Sequence, residues 1–277
     1  MSNRRHVITR HLLVAGILLA HGPAFGDVLG YWRFEEGSGA TAADQTGRYP
    51  GDLIGFDNYV PGGGDSGFEG WSTNVSAATV PQSGVANTGS IRMQGGGEYV
   101  DLSNGQDMNL GLNFTIEFLM SPDNPGSGSP IFGFAPFAGL YFNIFLDGPE
   151  NTLSYGAQFM GTSVFGPATD ISLGTWQHVA LVKQPGEYTV YLNGSPLASG
   201  SLPPSLDGPY FFPGTDNTGD RTIGGDSGTF SGYLDEFRIS DTALMPSQFL
   251  NAAIPEPSTL GLMLLGAAGL AWRKRRK

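Results

Sequence analysis

Apolar and polar positions alternate with a period of two in several stretches of this chain. Phe114, Ile116, Phe118 and Met120 share one face of one stretch, and Trp176, His178, Ala180 and Val182 share one face of another. Successive side chains of an extended backbone point to opposite sides, so both stretches read as strands. After the second, Gln184-Pro185-Gly186 turns the chain into residues 188–192, and Asn193-Gly194 supplies the left-handed backbone of a two-residue hairpin. A third strand through Leu197 then completes an antiparallel meander. Between Asp27 and Asp241 no apolar set recurs at helical spacing over three turns, and Gly and Pro interrupt the chain too often to permit one. The pattern predicts a nearly all-β domain, an antiparallel β-sandwich or jelly roll with two sheets packed over alternate residues. Residues 242–253 predict one short helical turn after it.

The two ends break this pattern. Residues 1–26 carry Arg4, Arg5 and Arg10, then the apolar run 12–20, then small residues at Ala24 and Gly26. That order is the order of a secretory signal peptide, and the run is too short to span a bilayer, which takes roughly 20 residues. Removal by signal peptidase is expected between Gly26 and Asp27. At the C-terminus, Pro255-Glu256-Pro257 precedes the apolar stretch 259–272 and a basic end, Arg273 to Lys277. Basic residues are held on the cytoplasmic side of a membrane, which sets the direction of this segment.

Composition narrows the function classes. Of the 14 Lys and Arg, three lie in the leader and five in the tail, whereas only one of the 25 acidic residues, Glu256, lies in either. The stretch 27–251 therefore carries six basic against 24 acidic side chains, a net charge near −18. Nucleic acid is excluded as a partner, because its binding depends on Lys and Arg neutralising phosphates. Surface carboxylates that keep an exported protein soluble account for the same charge. Cysteine is absent, so packing alone must stabilise the fold. The 43 glycines are about twice the usual share of roughly 7%, as many turns between short strands require.

Two resemblances follow from particular residues. The Pro-Glu-Pro motif, apolar stretch and basic end resemble the PEP-CTERM sorting signal of Gram-negative bacteria. That resemblance implies an exosortase-type processing enzyme as partner, a temporary tether to the inner membrane, and delivery to the cell surface or extracellular matrix. Four further segments resemble laminin-G-like (concanavalin-A-like) domains: Gly30 to Gly39 with Asp44 and Gly47, Gly97 to Leu102, Gly174 to Ala180, and Thr222 to Gly225 with Gly232 to Ile239. The resemblance implies a jelly roll whose first and last strands pair. The chain thus divides into a signal peptide (1–26), one sandwich domain (27–251) and a sorting segment (252–277) with a short hydrophobic helix. The Gly-rich stretch from Gly55 to Asn87 departs from the pattern and reads as inserted loops.

Candidate chemistry is sparse. Gly64-Asp65-Ser66-Gly67 and Gly225-Asp226-Ser227-Gly228 match the surroundings of a protease serine, but only His178 remains downstream of the leader to serve as base, and both read as turns. Glu117 faces away from Phe114, Ile116 and Phe118 with no second acid two residues away, so the paired carboxylates of a glycosidase are not evident. A structural calcium site is the expected cofactor: pairing of the end strands would bring Glu35, Asp44 and Asp235 together, and a bulge at Asp235-Glu236 would re-aim them. The competing reading has Asp44 capping a turn and Asp235 paired with Arg238 or a backbone donor. Tyr210 and Phe211, followed by Asp216 and Asn217, offer aromatic faces beside polar groups, as a sugar site needs. An edge strand packed on the core explains the same residues and is the favoured reading, since most large aromatics end up substantially buried.

The expected function is a non-catalytic binding or adhesion module for polysaccharide at the cell surface. The rival expectations are a glycan-cleaving enzyme of the same fold and a structural matrix protein without a specific ligand.

Overall fold

A computed structural model describes residues 28–56, 70–77, 79–103, 107–124, 129–134, 140–147, 152–159, 162–165, 169–204, 207–212, 221–224 and 230–253. In chain order the strands are β1 (Val28–Trp32), β2 (Thr41–Ala42), β3 (Gly51–Ile54), β4 (Trp71–Ser72), β5 (Ser90–Gln94), β6 (Tyr99–Asp101) and β7 (Met108–Gly111). Next come β8 (Phe114–Asn124), β9 (Ser129–Phe134), β10 (Leu140–Asp147), β11 (Thr152–Phe159), β12 (Thr162–Phe165) and β13 (Thr169–Asp170). The last are β14 (Gln177–Gln184), β15 (Glu187–Leu192), β16 (Ser195–Ser201), β17 (Tyr210–Phe212), β18 (Arg221–Ile223) and β19 (Ser231–Ser240). A 3-10 turn at Pro246–Gln248 follows, where the sequence predicts one short helical turn.

Sheet A runs β16-β15-β14-β8-β19-β5-β4, with β1 also paired to β19; sheet B runs β12-β11-β10-β9-β18-β6-β3-β2, with β13 on β11. The first and last strands pair antiparallel, Trp32 opposite Phe237, as the family resemblance implies. The predicted meander is β14-β15-β16. Its second turn has Asn193 at φ 51° and Gly194 at φ 78°, the mirror-image turn whose twist matches the flanking strands.

The main core lies between the sheets. Trp32, Ile91, Met93, Phe114, Ile116, Phe118, Val179, Leu181, Leu234, Phe237 and Ile239 fill it from sheet A, and Val100 and Ile223 from sheet B. Phe118 stacks on Phe237 with ring centroids 5.5 Å apart, and Trp32 meets Phe237 edge-on at 5.9 Å.

The other face of sheet A is buried as well. The β8–β14 register sets Leu119 opposite His178, Glu117 opposite Ala180 and Thr115 opposite Val182, so the predicted Trp176-His178-Ala180-Val182 face points away from the main core. Residues 241–252 cross this face. Leu244 and Phe249 pack on Ala180 and Val182, and Leu250 packs with Val80 on Leu119.

Side chains of the sheet hold this covering segment by its backbone. Thr115 Oγ1 donates to the Thr242 carbonyl at 2.7 Å and accepts from the Leu244 N–H at 2.9 Å. Arg238 Nη2 donates to the Gln248 carbonyl at 3.0 Å, and Glu117 Oε2 accepts from the Leu250 N–H at 2.8 Å. Glu117 is fully buried. Its carboxylate also receives Arg238 Nε at 2.9 Å and the Arg238 Nη2 group, and lies 2.8 Å from His178 Nε2. Burial alone would raise the pKa of Glu117, but Arg238, His178 and the Leu250 N–H outweigh it and hold the pKa below the usual glutamate range.

Removing one member of a buried ion pair strands the other, at a cost of about 3–5 kcal/mol. We therefore expect Glu117→Gln to lower the urea unfolding free energy by about that amount, and to expose residues 241–252 to proteolysis first. The depressed pKa also sets a sign: Glu117 contributes stability above the ordinary carboxylate range, and this is lost as pH falls through its folded pKa. Acid unfolding curves of wild type and variant should therefore converge at low pH.

Candidate functional site

Between the chain that follows β1, the edge strand β4 and the residues that lead into β5, a cleft opens. It has a volume of about 640 Å³ and is lined by Glu35, Trp71, Ser72, Thr73, Thr88 and Gly89. A Cβ on Gly89 would lie 2.4 Å from the Phe34 carbonyl oxygen, so glycine is what lets residues 87–89 lie against the chain at Phe34-Glu35. Thr88 then reaches Glu35, its N–H donating to both carboxylate oxygens at 3.0 and 3.1 Å and its hydroxyl to Oε2. The Trp71 indole N–H donates to the Gly39 carbonyl at 2.8 Å, which fixes the ring at the cleft wall.

Behind Glu35 lies a buried polar cluster. Arg33 bridges Glu35 at 3.2 Å and Glu236 Oε1 at 3.0 Å, and also donates to the Ala86 carbonyl at 2.6 Å. The Tyr31 hydroxyl donates to Glu236 Oε2. Asn87 Nδ2 donates to Asp235 Oδ2 at 2.8 Å, while Asp235 Oδ1 and Asn87 Oδ1 have no hydrogen-bond partner. Asp235 and Glu236 have no accessible surface.

Backbone geometry makes this cluster possible. The register between β19 and β8 shifts between Asp235 and Arg238, which is the bulge predicted at Asp235-Glu236. Glu236 has φ 51° and Phe34 has φ 56°, conformations that cost a non-glycine residue on the order of 1–3 kcal/mol and gather at functional sites. The bulge lets adjacent acids both point to the outer side. Desolvation raises Asp235 to about 8, with Glu236 and Glu35 adding to the shift and the Asn87 bond opposing it. Desolvation also raises Glu236, against the opposing bonds from Tyr31 and Arg33, and pushes the Tyr31 hydroxyl up.

The expected calcium trio is divided by this arrangement. Glu35 and Asp235 belong to one cluster, but Asp44 caps its own loop, accepting from the N–H groups of Tyr31, Thr46, Arg48 and Tyr49 and from the Thr46 hydroxyl. Its oxygens are filled by local donors, so it is the turn-capping reading of Asp44 that the geometry realises. Among the described residues no three His, Cys, Asp or Glu side chains gather as a metal-holding group. Arg238, the alternative partner for Asp235, pairs with Glu117 instead.

Tyr210 and Phe211 lie on β17, which pairs with β7 in a separate two-stranded sheet, Tyr210 opposite Gly111 and Phe211 opposite Asn109. Asp216 and Asn217 lie outside the described residues, as do both Gly-Asp-Ser-Gly tetrapeptides, Gly26, Asp27 and Pro255 to Pro257. Among the described residues no helix is long and apolar enough to cross a membrane. Sequence reasoning did not find Trp71, Thr88, Asn87 or Arg33; the first three fall in or next to the stretch that reads as inserted loops.

The sequence profile of the Concanavalin A-like lectin/glucanases superfamily matches residues 94–248, and the chain belongs to that superfamily. A PEP-CTERM protein-sorting motif matches residues 253–276, which implies an exported, surface-sorted protein handled by an exosortase-type system. The fold is similar to domain 4 of AbnA, an extracellular arabinanase from Geobacillus stearothermophilus solved in complex with arabinotriose: TM-score 0.57, 18% identity, covering 82% of this chain and 98% of that one. It is also similar to the receptor binding domain of botulinum neurotoxin type G, with TM-score 0.50 and 12% identity, covering 81% of this chain and 50% of that chain. No curated protein matches the sequence significantly.

A carboxyl group raised to about 8 stays protonated in the folded state while its unfolded counterpart ionises near 3.8, so its contribution to stability falls between those limits as pH rises. Asp235→Asn should therefore raise the melting temperature at pH 8 and change it little at pH 4. Repeating the measurement with calcium and with chelator tests the expected metal. A calcium-dependent loss of stability in the variant would assign Asp235 to a cation instead.

Proposed function

We propose that this chain is a non-catalytic polysaccharide-binding module, displayed at the cell surface or in the extracellular matrix of a Gram-negative bacterium. In this reading signal peptidase removes residues 1–26, the C-terminal segment tethers the chain to the inner membrane, and an exosortase-type enzyme then processes it. The observation that carries the binding assignment is the cleft: one aromatic wall, Trp71, faces a space edged by Ser72, Thr73, Thr88 and the Glu35 carboxylate. The indole N–H is already bonded and the ring packs in part against the main core, so its remaining exposed surface is what can meet the apolar side of a sugar, while hydroxyls and carboxylate take the sugar hydroxyls.

Burial favours binding over cleavage. A glycosidase needs two carboxyl groups open to the scissile bond and about 5–10 Å apart. The two acids behind the cleft, Asp235 and Glu236, have no accessible surface. Likeness in fold to an arabinanase domain solved with arabinotriose supports saccharide as the ligand class.

A glycan array probed with the full chain should give hits on polysaccharide fragments. Aromatic packing contributes about 0.5–1.5 kcal/mol beyond area burial, so Trp71→Ala should weaken the best hit by about two- to twelvefold. Retention unaffected by Trp71→Ala would move the site elsewhere, with β17 at Tyr210 and Phe211 next to be tested. No retention of any glycan by the wild type would leave a structural matrix role.

A further inference from the structure

We infer that the cleft selects saccharides that carry free amino groups, and discriminates against uronic and sulfated polymers. This rests on the polysaccharide-binding reading above and adds the charge class of the ligand. Among the described residues that line the cleft, Glu35 is the sole ionisable side chain. Arg33, the cation next to it, is committed to Glu236, Glu35 and the Ala86 carbonyl. Among the described residues an acidic sugar would meet no uncommitted cation there.

The exposure of Glu35 points the same way. A carboxylate offers about four acceptor sites. Arg33 Nη2 and the Thr88 hydroxyl donate to it, the Thr88 N–H is shared between both oxygens, and the side chain stays 22% exposed. That exposed part belongs to a carboxylate already held in place at the cleft. A sugar ammonium is the complementary donor, and a charge-assisted bond to a carboxylate is about twice as strong as one between neutral groups.

The surroundings reinforce the preference at two ranges. Close by, Arg33 is one positive charge shared between Glu35 and Glu236. Farther out, six basic side chains against 24 acidic ones across residues 27–251 draw cationic polymers to the domain and repel polyanions. The Trp71 face accepts either the apolar side of a sugar ring or an ammonium held over it.

The test compares two oligomers with one backbone, oligo-glucosamine and its N-acetylated counterpart, by titration calorimetry with the full chain. The chain is held in a polyoxyethylene detergent, which has no sugar head group, at a mildly acidic pH where the sugar amine is protonated. One partly exposed ion pair is expected to make oligo-glucosamine bind about two- to fivefold tighter, a preference that shrinks as salt is added. Glu35→Gln should bring the ratio to about one and Glu35→Asp should restore part of it. The salt titration of the wild type decides the matter if either variant fails to fold. Equal or tighter binding of the N-acetylated oligomer, tighter binding of a polyuronate, or a preference indifferent to salt would overturn the inference while leaving glycan binding intact. Failure of both oligomers and of every array glycan to bind would overturn the polysaccharide reading and this inference with it.

Discussion

Glu117 is the residue on which the outer half of the domain depends. A carboxylate with no accessible surface must be compensated, and here the compensation comes from three directions: Arg238 on the neighbouring strand, His178 on the strand at its other side, and the Leu250 N–H of the covering segment. The same Arg238 holds the Gln248 carbonyl, so one ion pair joins β8 and β19 to each other and both to residues 248–250. An apolar residue at position 117 would pack under Phe249 and Leu250 without fixing their register. Directional bonds to two main-chain groups do fix it. The segment that ends at Ala253, where the sorting motif begins to match, is thereby seated against the sheet.

The sandwich was legible from the chain because its strands obey local rules. Alternation along β8 and β14, the Asn193-Gly194 turn and the broken alternation at Asp235-Glu236 are each set by neighbours in sequence. The double burial of sheet A was not legible. Alternation puts Glu117 on the face opposite Phe114, Ile116 and Phe118 without showing what covers that face, and the cover comes from a segment whose Thr242 lies 127 positions from Thr115. His178 shows the same limit, since period-two spacing places it on a face without saying that a second layer lies over that face.

The candidate site was half legible for a related reason. The bulge and the pairing of β1 with β19 bring Glu35 and Asp235 into one cluster, as their positions suggested. Asn87, which completes the Asp235 contact, lies 148 residues earlier in a Gly-rich stretch with no periodicity to place it. Asp44 had two readings that sequence could not separate, because whether a carboxylate caps its own turn or reaches a distant strand depends on donors that only the folded loop presents. Five local donors decide it.

The bulge connects the two halves of this account. Below it, the alternation of β19 puts Arg238 on the outer face against Glu117; above it, the alternation would bury either Asp235 or Glu236 in the main core. Inserting one residue with left-handed backbone turns both acids outward, where Arg33, Tyr31 and Asn87 can meet them. An unpaired acid in the apolar core would cost far more than the roughly 1–3 kcal/mol of a strained φ. The strain at Glu236 is therefore the cheaper way to keep two carboxyl groups on a strand whose other residues must fill the core. Its result is a negatively biased cluster on the outer face of sheet A, with Glu35 as the member that reaches the cleft.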